Sequence, residues 1–109
     1  MGMVVNRFDV YLINLDPTVG SEIQKIRPCL IISPDEMNKY IRTVIVAPLT
    51  SAGKDYPTRV SCKFKKKRGQ IVLDRIRMIN KARLIKKLGS IDPETQLEVI
   101  SVLQRLFSF

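Results

Sequence analysis

Arg27 and Glu22, five positions apart in a polar stretch, and the adjacent hydroxyls Thr50 and Ser51 are the side chains of this sequence best suited to chemistry. Much else is excluded by composition. The chain has no histidine, which removes paired-imidazole catalysis, a Ser-His-Asp triad and histidine-bound metals. Its ten Asp and Glu are scattered, whereas a two-metal nuclease needs clustered acidic ligands. No glycine-rich phosphate loop occurs. What remains, a carboxylate, arginines and a hydroxyl pair, suffices for one reaction that needs neither metal nor imidazole. In RNA cleavage the ribose 2′-hydroxyl is an internal nucleophile, so an enzyme supplies a proton acceptor, charge stabilisation and positioning. Glu22 could take the proton, Arg27 could hold the scissile phosphate in a forked contact, and Thr50 could donate a hydrogen bond to it. With a pKa above about 12, Arg27 suits charge stabilisation better than proton donation.

These residues need elements to carry them. The stretch from Gly20 to Ser33 starts as a polar loop holding Glu22 and Arg27 and continues into an apolar strand, Cys29 to Ile32, whose unbroken hydrophobicity fits burial on both faces. Before it, Arg7 to Leu15 reads as the first strand, stopped by Asp16-Pro17-Thr18. Ser33-Pro34-Asp35-Glu36 predicts a helix start, with Ser33 as N-cap, Pro34 at the first helical position and Glu36 placed for a capping box, and the helix runs to about Tyr40. Thr43 to Pro48 is the next strand, closed by Pro48, and Thr50 and Ser51 open a loop. Arg59–Phe64 and Gln70–Leu73 form a hairpin through Lys65-Lys66-Lys67-Arg68-Gly69, where glycine would support the reversal. Alternation from Asp74 to Asn80 puts Ile76 and Met78 on one face and Arg75, Arg77 and Ile79 on the other. A helical turn over Ala82–Ile85 and a short strand over Lys86–Ile91 follow. Asp92-Pro93 then caps a C-terminal amphipathic helix whose Leu97, Ile100, Leu103 and Phe107 fall at helical spacing. About six short strands with local helices imply a small β-barrel.

At 109 residues a single domain over 1–109 is expected. Cys29 and Cys62 lie in strand-like runs without metal-ligand spacing and read as buried free thiols. No run has the length of a membrane span, and a cytoplasmic protein is expected. The formal charge is +9, and between Lys54 and Lys87 thirteen basic residues stand against two acidic ones. On strands and turns, that concentration favours nucleic acid over a membrane surface. A basic face that meets an acidic protein is the other reading. Tyr56 and Phe64 are the candidates for stacking on bases.

From end to end the chain resembles the MazF/PemK (Kid-like) toxins of bacterial type II toxin–antitoxin systems. The resemblance rests on Asp9-Val10-Tyr11-Leu12, Leu15-Asp16-Pro17-Thr18, Gly20-Ser21-Glu22 with Arg27-Pro28, and Val46-Ala47-Pro48-Leu49-Thr50-Ser51. It continues through Leu73-Asp74-Arg75-Ile76-Arg77, Lys81-Ala82-Arg83-Leu84 and Leu88-Gly89-Ser90-Ile91. It implies a mainly β, Src-homology-3-like barrel with a short internal helix and a C-terminal helix. It implies a homodimer that cuts single-stranded mRNA at short sequences without metal or other cofactor, leaves a cyclic phosphate, and is held by an acidic MazE/PemI-like antitoxin. Arg27 and Thr50 would be catalytic with Glu22 assisting, and Ser51 and Asp74 would lie near the RNA. Arg75, Arg77 and the tract Lys65, Lys66, Lys67 and Arg68 would hold it. Phe8 stands where many relatives have Gly, Arg75 where Gln is usual and Asn80 where Asp is common; Arg75 bears on the cleavage sequence more than on the reaction.

Plainer roles compete for each residue. Arg27 could pair with Glu22, Thr50 and Ser51 could cap a turn, and Asp74 could cap a bend or pair with Arg77. Two other functions share this frame: a noncatalytic RNA-binding barrel, and a toxin that poisons gyrase in the manner of CcdB. Neither needs Glu22, Arg27 and Thr50 together.

Overall fold

The computed structural model describes residues 4–15, 26–51 and 53–109. Antiparallel strands build one seven-stranded sheet, with β4 (Arg59–Phe64), β5 (Lys67–Val72), β3 (Thr43–Ser51), β2 (Ile26–Ile31), β1 (Asp9–Asn14) and β7 (Leu84–Ser90) in that order; β6 (Arg77–Asn80) also pairs with β3. Short connectors are α1 (Asp35–Tyr40) and the 3₁₀ turns Leu73–Arg75 and Lys81–Arg83, and α2 (Pro93–Leu106) closes the chain. The sheet is barrel-like without full closure.

Alternation along the three central strands builds two cores. Val10, Leu30, Ala47 and Leu49 face one, where Val60, Ile71 and the α2 residues Val99 and Val102 join them. Tyr11, Ile13, Cys29, Ile31, Val44 and Val46 face the other, completed by Ile79 and Leu84. The apolar run of β2 is therefore covered on both sides, as its sequence implies.

The first strand starts two residues late because Phe8 adopts φ 76°, in the left-handed region where glycine is at ease. That turn is held by side chains. The Arg7 main-chain N–H donates to Asp35 Oδ1 at 2.6 Å and its Nε to the Ile32 carbonyl at 3.0 Å. Asp9, only 4% exposed, accepts from the Asn6 N–H at 2.9 Å and meets Lys87 Nζ at 3.4 Å.

Ser33 does not cap α1. The N-cap is Pro34, which has no side-chain hydrogen bond to give, and the helix begins one residue later than expected. Ser33 is instead buried between α1 and β3: its Oγ donates to Asn38 Oδ1 at 2.5 Å and accepts from the Ile45 N–H at 3.0 Å, while Asn38 Nδ2 donates to the Ser33 carbonyl. Ser33 and Asn38 are 1% and 2% exposed, so these groups have no water to turn to. Ser33→Ala should cost about 1–3 kcal/mol in a urea melt, the penalty of leaving buried polar groups unpaired. A loss under roughly 0.5 kcal/mol would show that the site relaxes to find other partners.

Three further expectations are corrected. The hairpin turns on Lys65 and Lys66 alone, with φ 52° and 68° and Phe64 paired to Lys67, so both central residues are left-handed as in the turns that match strand twist; Lys67, Arg68 and Gly69 belong to β5. The alternation from Asp74 starts late, because the 3₁₀ turn takes Asp74 and Arg75 out of the strand; within β6, Ile79 shares a face with Arg77 as read and is buried, while Met78 on the other face is 61% exposed. On α2, capped by Asp92 Oδ1 accepting from the Thr95 N–H at 2.8 Å, Val99 and Val102 supply the buried stripe. Leu97 and Phe107 are 75% and 71% exposed.

Candidate active site

Pro48 does not end β3. The strand runs on to Ser51, and two prolines shape what happens there. Pairing between β2 and β3 covers Ile31 with Val46, Leu30 with Ala47 and Cys29 with Pro48, and stops. The next residue of β2 is Pro28, which has no N–H to donate to a ladder. Past that point β3 is held by β5, Thr50 opposite Gln70 and Ser51 opposite Gly69. Two steps along the interrupted β2–β3 alignment, Arg27 comes opposite Thr50. Arg27 shares a strand face with Cys29, and Thr50 shares one with Pro48.

The gap is a cleft of about 390 Å³ lined by Arg27, Thr50, Ser51, Lys67 and Arg68. Leu49, Cys62 and Phe64 give it an apolar wall, and Ile26 and Pro28 complete the β2 side. Arg27 and Thr50 are half-buried, Ser51, Lys67 and Arg68 exposed. Thr50 Oγ1 donates to the Ser51 carbonyl at 3.1 Å, a weak local bond that an incoming phosphate oxygen can replace. A lining that combines cations, a hydroxyl and an aromatic ring suits a nucleotide, whose phosphate and base need different partners.

Burial pushes the Cys29 thiol up to about 12, against the opposing pull of the Arg27 and Arg77 guanidiniums. The thiol stays protonated and inert. Arg77 lies on the same face of the sheet as Cys29, since it pairs with Val46, which pairs in turn with Ile31, two residues from Cys29, although Arg77 is not a cleft wall.

Asp74 is engaged elsewhere. Its Oδ1 accepts from Thr58 Oγ1 at 3.0 Å and from Arg59 Nε at 3.3 Å, so its ion pair is with Arg59 and not with Arg77. Slight burial pushes its carboxyl up, but the Arg59 and Thr58 hydrogen bonds outweigh it and hold the group below its ordinary value. Arg59 is stacked in turn on the Tyr56 ring at 4.7 Å, which takes Tyr56 out of the cleft and leaves Phe64 as the stacking surface. Asp74, Arg75 and Lys66 do not line the cleft, and Lys65 faces a neighbouring pocket. Glu22 lies outside the described residues. No local signal marks Leu49 and Gly69 as walls, because that role depends on the distant strand β5 pairing with the end of β3.

A profile of the family described as "PemK-like, MazF-like toxin of type II toxin-antitoxin system" matches residues 6–107. The chain belongs to that family. Among relatives, it is 40% identical over 106 residues to the endoribonuclease MazF of Staphylococcus epidermidis, covering 92% of this chain and 88% of the relative. It is 38% identical over 108 residues to the endoribonuclease EndoA of Bacillus subtilis (strain 168), covering 94% and 93%. The crystal structure of MazF from Deinococcus radiodurans superposes with a TM-score of 0.81 at 25% identity, over 98% of this chain and 99% of that one. A mycobacterial endoribonuclease in complex with its cognate antitoxin shares the fold with a TM-score of 0.81 at 23% identity, over 96% and 98%.

Proposed function

We propose that the chain acts as a single-domain endoribonuclease, the toxin of a toxin–antitoxin pair, and that Arg27 and Thr50 are its catalytic pair. The meeting of these two side chains in one cleft, where proline-ended pairing lets β2 and β3 part, carries this reading. Glu22 takes the proton from a ribose 2′-hydroxyl, and the oxygen attacks the adjacent phosphorus. As that bond forms, the bond to the 5′-oxygen of the next nucleotide breaks and this oxygen takes a proton from water, leaving a 2′,3′-cyclic phosphate and a free 5′-hydroxyl. Arg27 grips the phosphate with parallel N–H donors and carries the charge that builds on its oxygens; Thr50 Oγ1 donates to the same group. Lys67 and Arg68 hold flanking phosphates, and Ser51 stands beside them. Lys65, Lys66, Arg75 and Arg77 extend the basic surface outward along the strand path.

The same charge fits an acidic antitoxin, and the solved complexes of structural relatives with their antitoxins support that partner; a homodimer acting in the bacterial cytoplasm completes the proposal. The deciding experiment is incubation of a long single-stranded RNA with the purified protein in EDTA, with the new ends mapped. Discrete cuts bearing cyclic phosphates are expected. Intact RNA despite tight, salt-sensitive binding would leave only a binding barrel.

A further inference from the structure

A second pocket, of about 590 Å³, lies between the β4–β5 hairpin and the start of α2, and shares Cys62, Arg68 and Gly69 with the cleft. One of its walls carries a buried group with an unmet need. Gln70 is 3% exposed, and its Nε2 donates to the Lys54 carbonyl at 3.0 Å, with Asp55 Oδ1 at 3.5 Å. Its Oε1 is buried with no hydrogen-bond partner among the described residues. Exchanging the amide's oxygen and nitrogen is no remedy, since it would set acceptor against acceptor at Lys54. Gly53 lines the same pocket, and among the described residues away from its chain neighbours a Cβ there would meet only Oε1 within 4 Å, at 3.7 Å. Leaving such an acceptor unpaired is costly, so it calls for a donor that arrives with a ligand.

The rest of the pocket says what kind of donor. Asp55, Glu94 and Glu98 add carboxylates, which only accept, so a phosphate is repelled from its interior. Among the described residues no three carboxylates or thiols gather closely enough to hold a metal ion. Lys63 and Arg68 provide the cations for a strand entering from the cleft. A base whose amino group stands at the purine 6- or pyrimidine 4-position meets these demands: adenine N6 or cytosine N4 donates where guanine O6 or uracil O4 would set an acceptor against Oε1, and guanine's own amino group, N2, lies at the other end of its pairing edge.

We propose that this pocket is a base subsite, next to the Arg27–Thr50 cleft, that reads the exocyclic amino group of adenine or cytosine through Gln70 Oε1. It rests on the reading of the chain as a ribonuclease. The test is cleavage in EDTA of an RNA pool randomised over a short window, with the cut ends sequenced, by wild type, Gln70→Met and Gly53→Val. Methionine keeps the length of the side chain and removes the acceptor. Valine fills the space in front of Oε1 from an exposed loop position, and so decides the matter if the buried change fails to fold.

Wild type should favour A or C over U and G at one position near the cut, on the order of tenfold. Both variants should flatten that position alone, leaving the other preferences and the cyclic ends in place. Enrichment of only one of the two bases would identify the ring. Cutting with no such preference, or a preference that survives both variants or weakens equally at every position, overturns the subsite and leaves the ribonuclease standing. Failure of wild type to cut overturns both.

Discussion

Arg27→Ala is expected to slow RNA cleavage by about a thousandfold while the protein stays folded and still binds RNA. The magnitude is that of removing one preorganised charge-stabilising donor from a reacting centre. The guanidinium is half-buried on a strand whose own packing is supplied by Cys29, Leu30 and Ile31, each 0% exposed, so its loss leaves the cores intact. Binding should lose one phosphate contact among several, seen as a reduction of about 0.7 in the slope of log affinity against log salt. Arg27→Lys should recover part of the rate, because a point charge replaces the charge but not the forked pair of donors. The measurement is single-turnover cleavage of one RNA by the three proteins, with affinity measured separately in a non-cleavable 2′-deoxy version. A wild-type rate in Arg27→Ala would remove Arg27 from the chemistry and restore the plain reading of an arginine held in an ion pair.

Much of this site was legible in the sequence, for a physical reason. Arg27, Thr50 and Ser51 were singled out as polar groups next to apolar strands, and such strands can be recognised locally. The β2 run and the Asp92-Pro93 cap followed from rules that act within a few residues, and both stand. What failed was set by partners distant in sequence. Pro48 reads as a strand end because a proline usually costs a ladder hydrogen bond, yet β3 continues to Ser51, held past Pro48 by its pairing with β5. Ser33 had the sequence of a cap, but its hydroxyl is taken by Asn38 and Ile45. Asp74 had two near candidates for a role, and its partner turned out to be Arg59, on the next strand over. The role of Gly69 was hidden in the same way. Five residues from Lys65 to Gly69 contained the only local glycine, so the turn was assigned to it, while two lysines make the turn and glycine is needed for a reason no local rule contains.

That reason makes Gly69→Ala a damaging change despite adding a single methyl group. A Cβ at Gly69 would stand 2.5 Å from the Thr50 carbonyl oxygen and 3.6 Å from its carbon, and the obstacle is backbone, which cannot swing aside as a side chain does. Gly69 is paired with Ser51 on one side and Cys62 on the other, so β5 can retreat from β3 only by breaking the Thr50–Gln70 and Ser51–Gly69 pairings that fix the end of β3. Overpacking of this kind costs about 1–3 kcal/mol, which for a chain of this size is a fall in Tm of roughly 5–15 °C. The catalytic loss should be larger in proportion. Thr50 projects into the cleft from the residue that must move, and a displacement near 1 Å of a positioned group costs about a hundredfold in rate. Single-turnover cleavage well below the melting temperature separates the two effects: a rate down about a hundredfold in protein that is still fully folded is the expected result. A variant that melts lower but cuts as fast as wild type would show that β5 yields without carrying Thr50 with it. The hydroxyl would then not need the placement that its opposition to Arg27 provides, and the pairing of these two side chains would lose its main geometric support.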